Sequence, residues 1–142
     1  MTLEGGALTV DGEGTLITTE QCLLHTNRNP RMSRADIEDE LKRRLGVEKV
    51  IWLPYGGLED TETDGHVDGV AAYVAPAKVV VSLPEDPAHP DCARMRANLA
   101  VLASALPGRT VVGVPTPALA YGGGGIHCIT QQLHPEREDL TA

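Results

Sequence analysis

A chain of 142 residues, 42% hydrophobic and 23% charged, is long enough to bury one core without disulfide or metal staples and too apolar to remain disordered. Its formal net charge of −8 leaves no basic stripe for neutralising phosphates, so nucleic acid is not an expected partner and a small cation is. With no Phe and one Trp, the core has to be built from Val, Leu, Ile and Ala, which suits strands covered by helices.

Residues 6–10 alternate small and apolar side chains, Asp11-Gly12-Glu13-Gly14 supplies a turn, and residues 15–19 form a second, β-branched run, so a hairpin is expected. After Pro30, apolar Ile37, Leu41 and Leu45 recur between charged residues, with Ser33 ahead and Gly46 behind, which predicts a helix over residues 33–45. Ser33-Arg34-Ala35-Asp36 resembles a capping box only loosely. Residues 47–53 then read as a strand closed by Pro54. The pattern recurs in residues 70–74 and 78–83, two short β-rich runs, and in a helix over residues 90–106 with Met95, Leu99, Leu102 and Leu106 on its apolar face. Pro107-Gly108 stops that helix, residues 110–114 give another strand, and residues 126–131 open a third copy. The chain therefore reads as α/β, a single domain of strand-strand-helix-strand modules at about residues 4–54 and 65–115 with a fragment from residue 121.

Cys22, Cys92 and Cys128 are odd in number and irregularly spaced, which argues against a disulfide framework and for a reducing compartment. No run of about 18 apolar residues occurs, and the amino terminus lacks a basic flank followed by an apolar stretch. A soluble, cytoplasmic protein with no membrane partner is expected.

The register of the repeat singles out three polar residues. Glu4 stands just ahead of the first module, His66 ahead of the second and Cys128 at the opening of the third, with 66 − 4 = 62 and 128 − 66 = 62. Each lies beside glycine, in Glu4-Gly5-Gly6, Asp64-Gly65-His66 and the run at residues 122–125. If each module contributes an equivalent entry, the three point to a common centre. A carboxylate, a His-x-Asp pair and a cysteine that converge suit attack on a planar guanidinium or amidinium. Glu4 and Asp68 would accept hydrogen bonds from its nitrogens, Cys128 would attack the central carbon, and His66 would protonate departing ammonia and then activate water. If residues 66–68 are extended, His66 and Asp68 face the same side. Glycines before Cys128 let backbone approach a ligand closely.

Blander readings stand beside this one. Cys128 alone could be an inert buried thiol, the glycine run a tight turn, and His66 part of an acidic surface loop with Glu59, Asp60, Glu62 and Asp64. Zinc on His66, Asp68, His127 and Cys128 lacks the usual ligand spacing, so no metal and no cofactor are expected. Cys22 and Cys92 sit in helix-like apolar settings and are assigned no chemistry, and His25, His89 and His134 fall in expected loops.

Four stretches, LEGGALTVDGEGTLITTEQCLLHTNRNP, VEKVIWLP, TDGHVDGVAAYVAP and GGGGIHCITQQ, resemble the agmatine deiminases and related bacterial peptidylarginine deiminases of the guanidine-modifying superfamily. The resemblance implies a pentein-like α/β propeller of strand-strand-helix-strand modules around a central site. It assigns Cys128 as nucleophile, His66 as general acid/base, Asp68 and Glu4 as carboxylates at the guanidinium and His, and Gly124, Gly125 and their neighbours as pocket wall. It implies hydrolysis of agmatine to N-carbamoylputrescine and ammonia, in polyamine synthesis and without cofactor. Against the family pattern the chain begins near the Glu4 motif, and residues 107–121 run directly into the cysteine stretch. An incomplete propeller, shortened at its start and internally, is therefore expected. That leaves three functional expectations: an agmatine deiminase; a deiminase for arginine or peptidylarginine; or a non-catalytic remnant that binds partners or self-associates, with a homo-oligomer as one outcome.

Overall fold

Asp11 reverses the chain early: its Oδ1 accepts the N–H groups of Glu13 and Thr15 at 2.8 and 2.9 Å, while Gly12 and Gly14 take φ values of 77° and 94°. The computed structural model describes residues 1–75, 78–109, 111–116, 125 and 127–130, and it begins with this hairpin. Strand β1 (Leu8–Val10) pairs antiparallel with β2 (Thr15–Thr19), Thr9 opposite Ile17. A one-turn helix, α1 (Glu20–Leu23), follows directly because the Thr19 hydroxyl accepts the Cys22 N–H, and it gives bounds to the helix-like setting expected around Cys22.

Helix α2 (Arg34–Leu45) starts at a complete capping box, not a loose one, since Asp36 serves at the third helical position in place of the more usual Glu. It ends at Gly46, whose φ of 68° and N–H to Lys42 O make a left-handed cap. Ile37 and Leu41 are fully buried, whereas Leu45, expected on the same face, is 45% exposed in the last turn. The crossover delivers β3 (Lys49–Leu53) parallel to β2, Ile17 opposite Ile51.

The second unit repeats this order. Strand β4 (Ala71–Ala75) pairs antiparallel with β5 (Lys78–Leu83), α3 (Pro90–Ala105) crosses over, and β6 (Val111–Pro115) runs parallel to β5. The two sheets have orders β1-β2-β3 and β4-β5-β6. At residues 126–131 a third strand was expected. The described residues instead form a 3₁₀ turn, His127–Ile129, closed by Thr130 N–H to His127 O at 3.0 Å. Strand N–H groups need a partner strand, and here the backbone is satisfied locally; residues 126 and 131 lie outside the described residues.

Alternate residues of the first sheet enter different cores. Leu16 and Trp52 pack with Ile37 and Leu41 under α2, while Ile17, Ile51 and Leu53 join Val67, Val79, Val81, Met95 and Leu102 of the second unit. The sheet is covered on both faces, as parallel pairing favours. Buried Asn98 on α3 completes the joint: its Nδ2 donates to Tyr55 O at 2.7 Å and its Oδ1 accepts Tyr55 N–H at 3.3 Å. This fixes the chain leaving β3 onto the helix of the next unit. Replacing Asn98 with Leu leaves both Tyr55 groups unpaired beside an apolar side chain, so urea unfolding is expected to show a loss of about 1–3 kcal/mol. An unchanged midpoint would show that the Asn98 bonds do not hold the joint.

Candidate functional site

Two threonines at the end of β2 hold the backbone on which the site is built. Fully buried Thr18 donates from Oγ1 to Ala7 O at 2.7 Å, pinning the 3₁₀ turn Gly5–Ala7. Its neighbour Thr19 donates to Gly65 O at 2.6 Å, pinning the loop that enters the 3₁₀ turn Val67–Gly69. Glu4 and His66 are the residues immediately ahead of those two turns. One strand end therefore sets the position of both.

The turns approach closely through Gly6. A Cβ on this residue would stand 2.5 Å from His66 Nδ1 and 2.7 Å from Asp68 Oδ2, closer than any side chain tolerates. On the other edge of the imidazole, His66 Nε2 lies 3.5 Å from Glu4 Oε2. Glu4, His66 and Asp68 thus share one patch, the imidazole and Asp68 half-buried and Glu4 more open. The extended conformation expected for residues 66–68 is not what brings them together. Asp64 and Gly65 both take positive φ, 55° and 88°, Thr63 Oγ1 accepts the His66 N–H, and the chain tightens into a 3₁₀ turn instead of a strand.

Arg28 locks this patch from behind. Nε donates to Glu4 Oε2 at 2.9 Å, Nη1 to Asp64 Oδ2 at 2.7 Å and Nη2 to Thr63 O at 2.7 Å, with only 7% of its side chain exposed. The hydrogen bond from Arg28 holds the Glu4 carboxyl below its ordinary value against the opposing effect of burial. Asp64 is lowered as well, by the Asn27 amide and then by Arg28. Burial works against the Arg28 charge, and the bonds to Glu4 and Asp64 outweigh it.

Cys22 lies in the same patch. Its Sγ, a Glu4 carboxylate oxygen and a ring nitrogen of His66 all fall within 4.8 Å of one another. Burial pushes the Cys22 thiol up to about 11, with Arg28 pulling the other way. Sequence reasoning missed both Arg28 and Cys22. The signal for Arg28 was a lone arginine between two asparagines, in a chain with acidic residues beside glycine at Glu4 and Asp64. Nothing local marks Cys22, which stands between Glu20-Gln21 and Leu23-Leu24.

The third predicted element docks on the second. A Cβ on Gly125 would stand 2.5 Å from Asp68 O and 2.8 Å from Gly69 Cα, so the turn carrying Cys128 packs directly on the Asp68–Gly69 backbone. His127 Nδ1 is 4.0 Å from Asp68 Oδ2. Cys128 itself is exposed and its Sγ accepts the Gly125 N–H at 3.4 Å. Among the described residues no hydrogen bond or ion pair joins Cys128 to Glu4, His66 or Asp68. Gly124 lies outside the described residues. A cleft of about 560 Å³ adjoins Gly69 and Val70, floored by Met95 and rimmed by Glu59, Glu85, Asp86 and Asp91. No helix among the described residues is long and apolar enough to cross a membrane.

This mixed α/β arrangement is shared with deiminases of known structure. Agmatine deiminase of Enterococcus faecalis superposes with a TM-score of 0.74 at 39% identity, covering 80% of this chain and 32% of its own. In sequence, the chain is 50% identical over 123 residues to the agmatine deiminase of Pseudomonas fluorescens, covering 84% of this chain and 33% of that protein. It is 55% identical over 94 residues to the agmatine deiminase of Medicago truncatula, covering 66% of this chain and 25% of that one. The chain thus spans between a quarter and a third of the length of these relatives. The sequence model of the Porphyromonas-type peptidyl-arginine deiminases matches residues 1–106 and 96–134, and the chain belongs to that family.

The Arg28 bridge generates a pH dependence. Both partner carboxyls titrate below their unfolded values, so their contribution to stability is present above roughly pH 4–4.5 and lost as pH falls through the lower folded values. Arg28→Gln is therefore expected to lower thermal stability at pH 7, with the gap to the parent narrowing between about pH 5 and pH 3. A gap that stays constant across this range would remove the ion pairs as its cause.

Proposed function

We propose that this chain supplies the acid/base and carboxylate part of an agmatine deiminase site, with Cys128 as nucleophile. The observation that carries the reading is the convergence of Glu4, His66 and Asp68 around Gly6, in a chain half identical to an agmatine deiminase. The reaction begins with a guanidinium held in plane by the Asp68 and Glu4 carboxylates. The Cys128 sulfur adds to its central carbon, His66 gives a proton to the departing ammonia, and the same imidazole then takes a proton from water attacking the S-linked intermediate. The carbon–sulfur bond breaks, releasing the ureido product and regenerating the thiol. Gly125 brings the wall of the site close to Asp68 and Gly69.

The acidic cleft beside Gly69 supports agmatine over arginine. Glu85, Asp86 and Asp91 at its rim favour the primary ammonium at the far end of agmatine and repel the carboxylate of free arginine. In this reading the two units, about residues 4–54 and 65–115, and the fragment from residue 121 are modules of one partial domain with the pentein propeller arrangement. A cytoplasmic setting fits the free thiols of Cys22, Cys92 and Cys128.

Purified chain supplied with agmatine is expected to release ammonia and N-carbamoylputrescine, to act more slowly on free arginine and a blocked arginyl peptide, and to lose turnover in Cys128→Ala. Equal turnover in that variant, or none in the parent, would remove the enzymatic reading for this chain. Iodoacetamide is expected to label exposed Cys128 before buried Cys22 and Cys92, with agmatine slowing only the first. Failure of agmatine to protect Cys128 would place the nucleophile outside the substrate site.

A further inference from the structure

A sulfur, an imidazole nitrogen and a carboxylate oxygen gathered within 4.8 Å are a donor set for a borderline-soft divalent ion. The atoms come from three separate segments: Glu4 ahead of the first 3₁₀ turn, Cys22 in α1 and His66 ahead of the second turn. In a tetrahedral zinc site, bonds of about 2.0–2.3 Å put neighbouring donors roughly 3.3–3.8 Å apart. A contraction of about an ångström from the present limit would close the set.

Two further observations point the same way. His66 Nε2 is completely buried and has no hydrogen-bond partner among the described residues, although it lies beside Glu4. A buried polar atom left unpaired is costly, and a bound cation would satisfy it. Three carboxylates, those of Glu4, Asp64 and Asp60, also act on the Cys22 sulfur, opposed by the guanidinium of Arg28. The exposed side of Glu4 offers a route from solvent, since Cys22 itself is fully buried.

We infer that Glu4, Cys22 and His66 form a zinc-binding site, distinct from the Cys128 nucleophile, in which the metal captures His66. Binding forms a Zn–S bond as the Cys22 thiol proton leaves to solvent, with Glu4 and His66 Nε2 completing three protein ligands and water taking the fourth corner. An imidazole whose lone pair is on zinc neither accepts nor donates the protons that deimination requires. Inhibition by zinc therefore rests on the reading of His66 proposed above, whereas binding does not.

Titrating the reduced, chelator-free protein with Co²⁺ tests the site without any activity measurement. A near-ultraviolet thiolate-to-cobalt band is expected in the parent and in Cys128→Ser, absent in Cys22→Ser, and displaced by Zn²⁺. Zinc affinity measured calorimetrically is expected to fall at least about tenfold in Cys22→Ser and in His66→Ala. Absence of the band in the parent overturns the inference. So does a band that survives in Cys22→Ser and vanishes in Cys128→Ser, which would move the metal to the exposed turn. If Cys22→Ser fails to fold, Glu4→Gln and His66→Ala decide: unchanged zinc affinity in both overturns the site.

Discussion

Arg28 is the constraint on which the arrangement of the two units turns at the site. Its three hydrogen bonds leave one guanidinium plane toward Glu4 of the first unit and toward Asp64 and Thr63 of the loop that enters the second. A lysine could not reproduce this, because an ammonium is a point charge without a fixed fork. Burying a cation is costly unless it is paired, and here two carboxylates and a carbonyl offset the loss of water. The consequence is directional. Glu4 is held where the oxygen that accepts from Arg28, Oε2, also lies 3.5 Å from His66 Nε2, and the loop ahead of His66 is held where Thr19 and Gln21 also meet it.

Absent side chains matter as much as present ones. Gly6 admits His66 and Asp68, Gly125 admits the Asp68–Gly69 backbone, and Gly65 admits the Gln21 side chain, whose Nε2 would stand 2.6 Å from a Cβ there. Each contact joins two segments far apart in sequence. In a core of Val, Leu and Ile the units could slide slightly without large penalty, since apolar contact is not directional. Backbone against backbone, fixed by Thr18 and Thr19 hydroxyls, removes that freedom and converts a generic strand-strand-helix-strand repeat into a placed acid, imidazole and carboxylate.

What the sequence revealed follows from the range of the interactions involved. The hairpin at Asp11, helix α2 and helix α3 were legible because caps, turns and apolar spacing act within a few residues. Glu4 and His66 were legible through the repeat, and both precede one-turn 3₁₀ helices. Arg28 and Cys22 were not. Arg28 finds its partners 24 and 36 residues away, and Cys22 meets Glu4 and His66 only after α1 forms on the Thr19 cap. The strand expected around Cys128 fails for a related reason: apolar Ile126 and Ile129 with Thr130 suit a strand locally, but strand pairing needs a neighbour that local sequence does not specify.

The chain already contains one guanidinium held by carboxylates, and that fact bears on how a second would be held. Arg28 occupies Oε2 of Glu4 and shares Asp64 with Asn27, so both acids already carry part of an internal cation. Asp68 is differently placed. His127 Nδ1 lies 4.0 Å from its Oδ2, and no arginine or lysine pairs with it among the described residues. Electrostatics therefore divides the two carboxylates: Glu4 stays tied to Arg28 beside His66, while Asp68 has no arginine or lysine paired with it among the described residues. In the proposed reaction, the carboxylate nearest the docked Gly125 turn is then also the one most available to a guanidinium substrate.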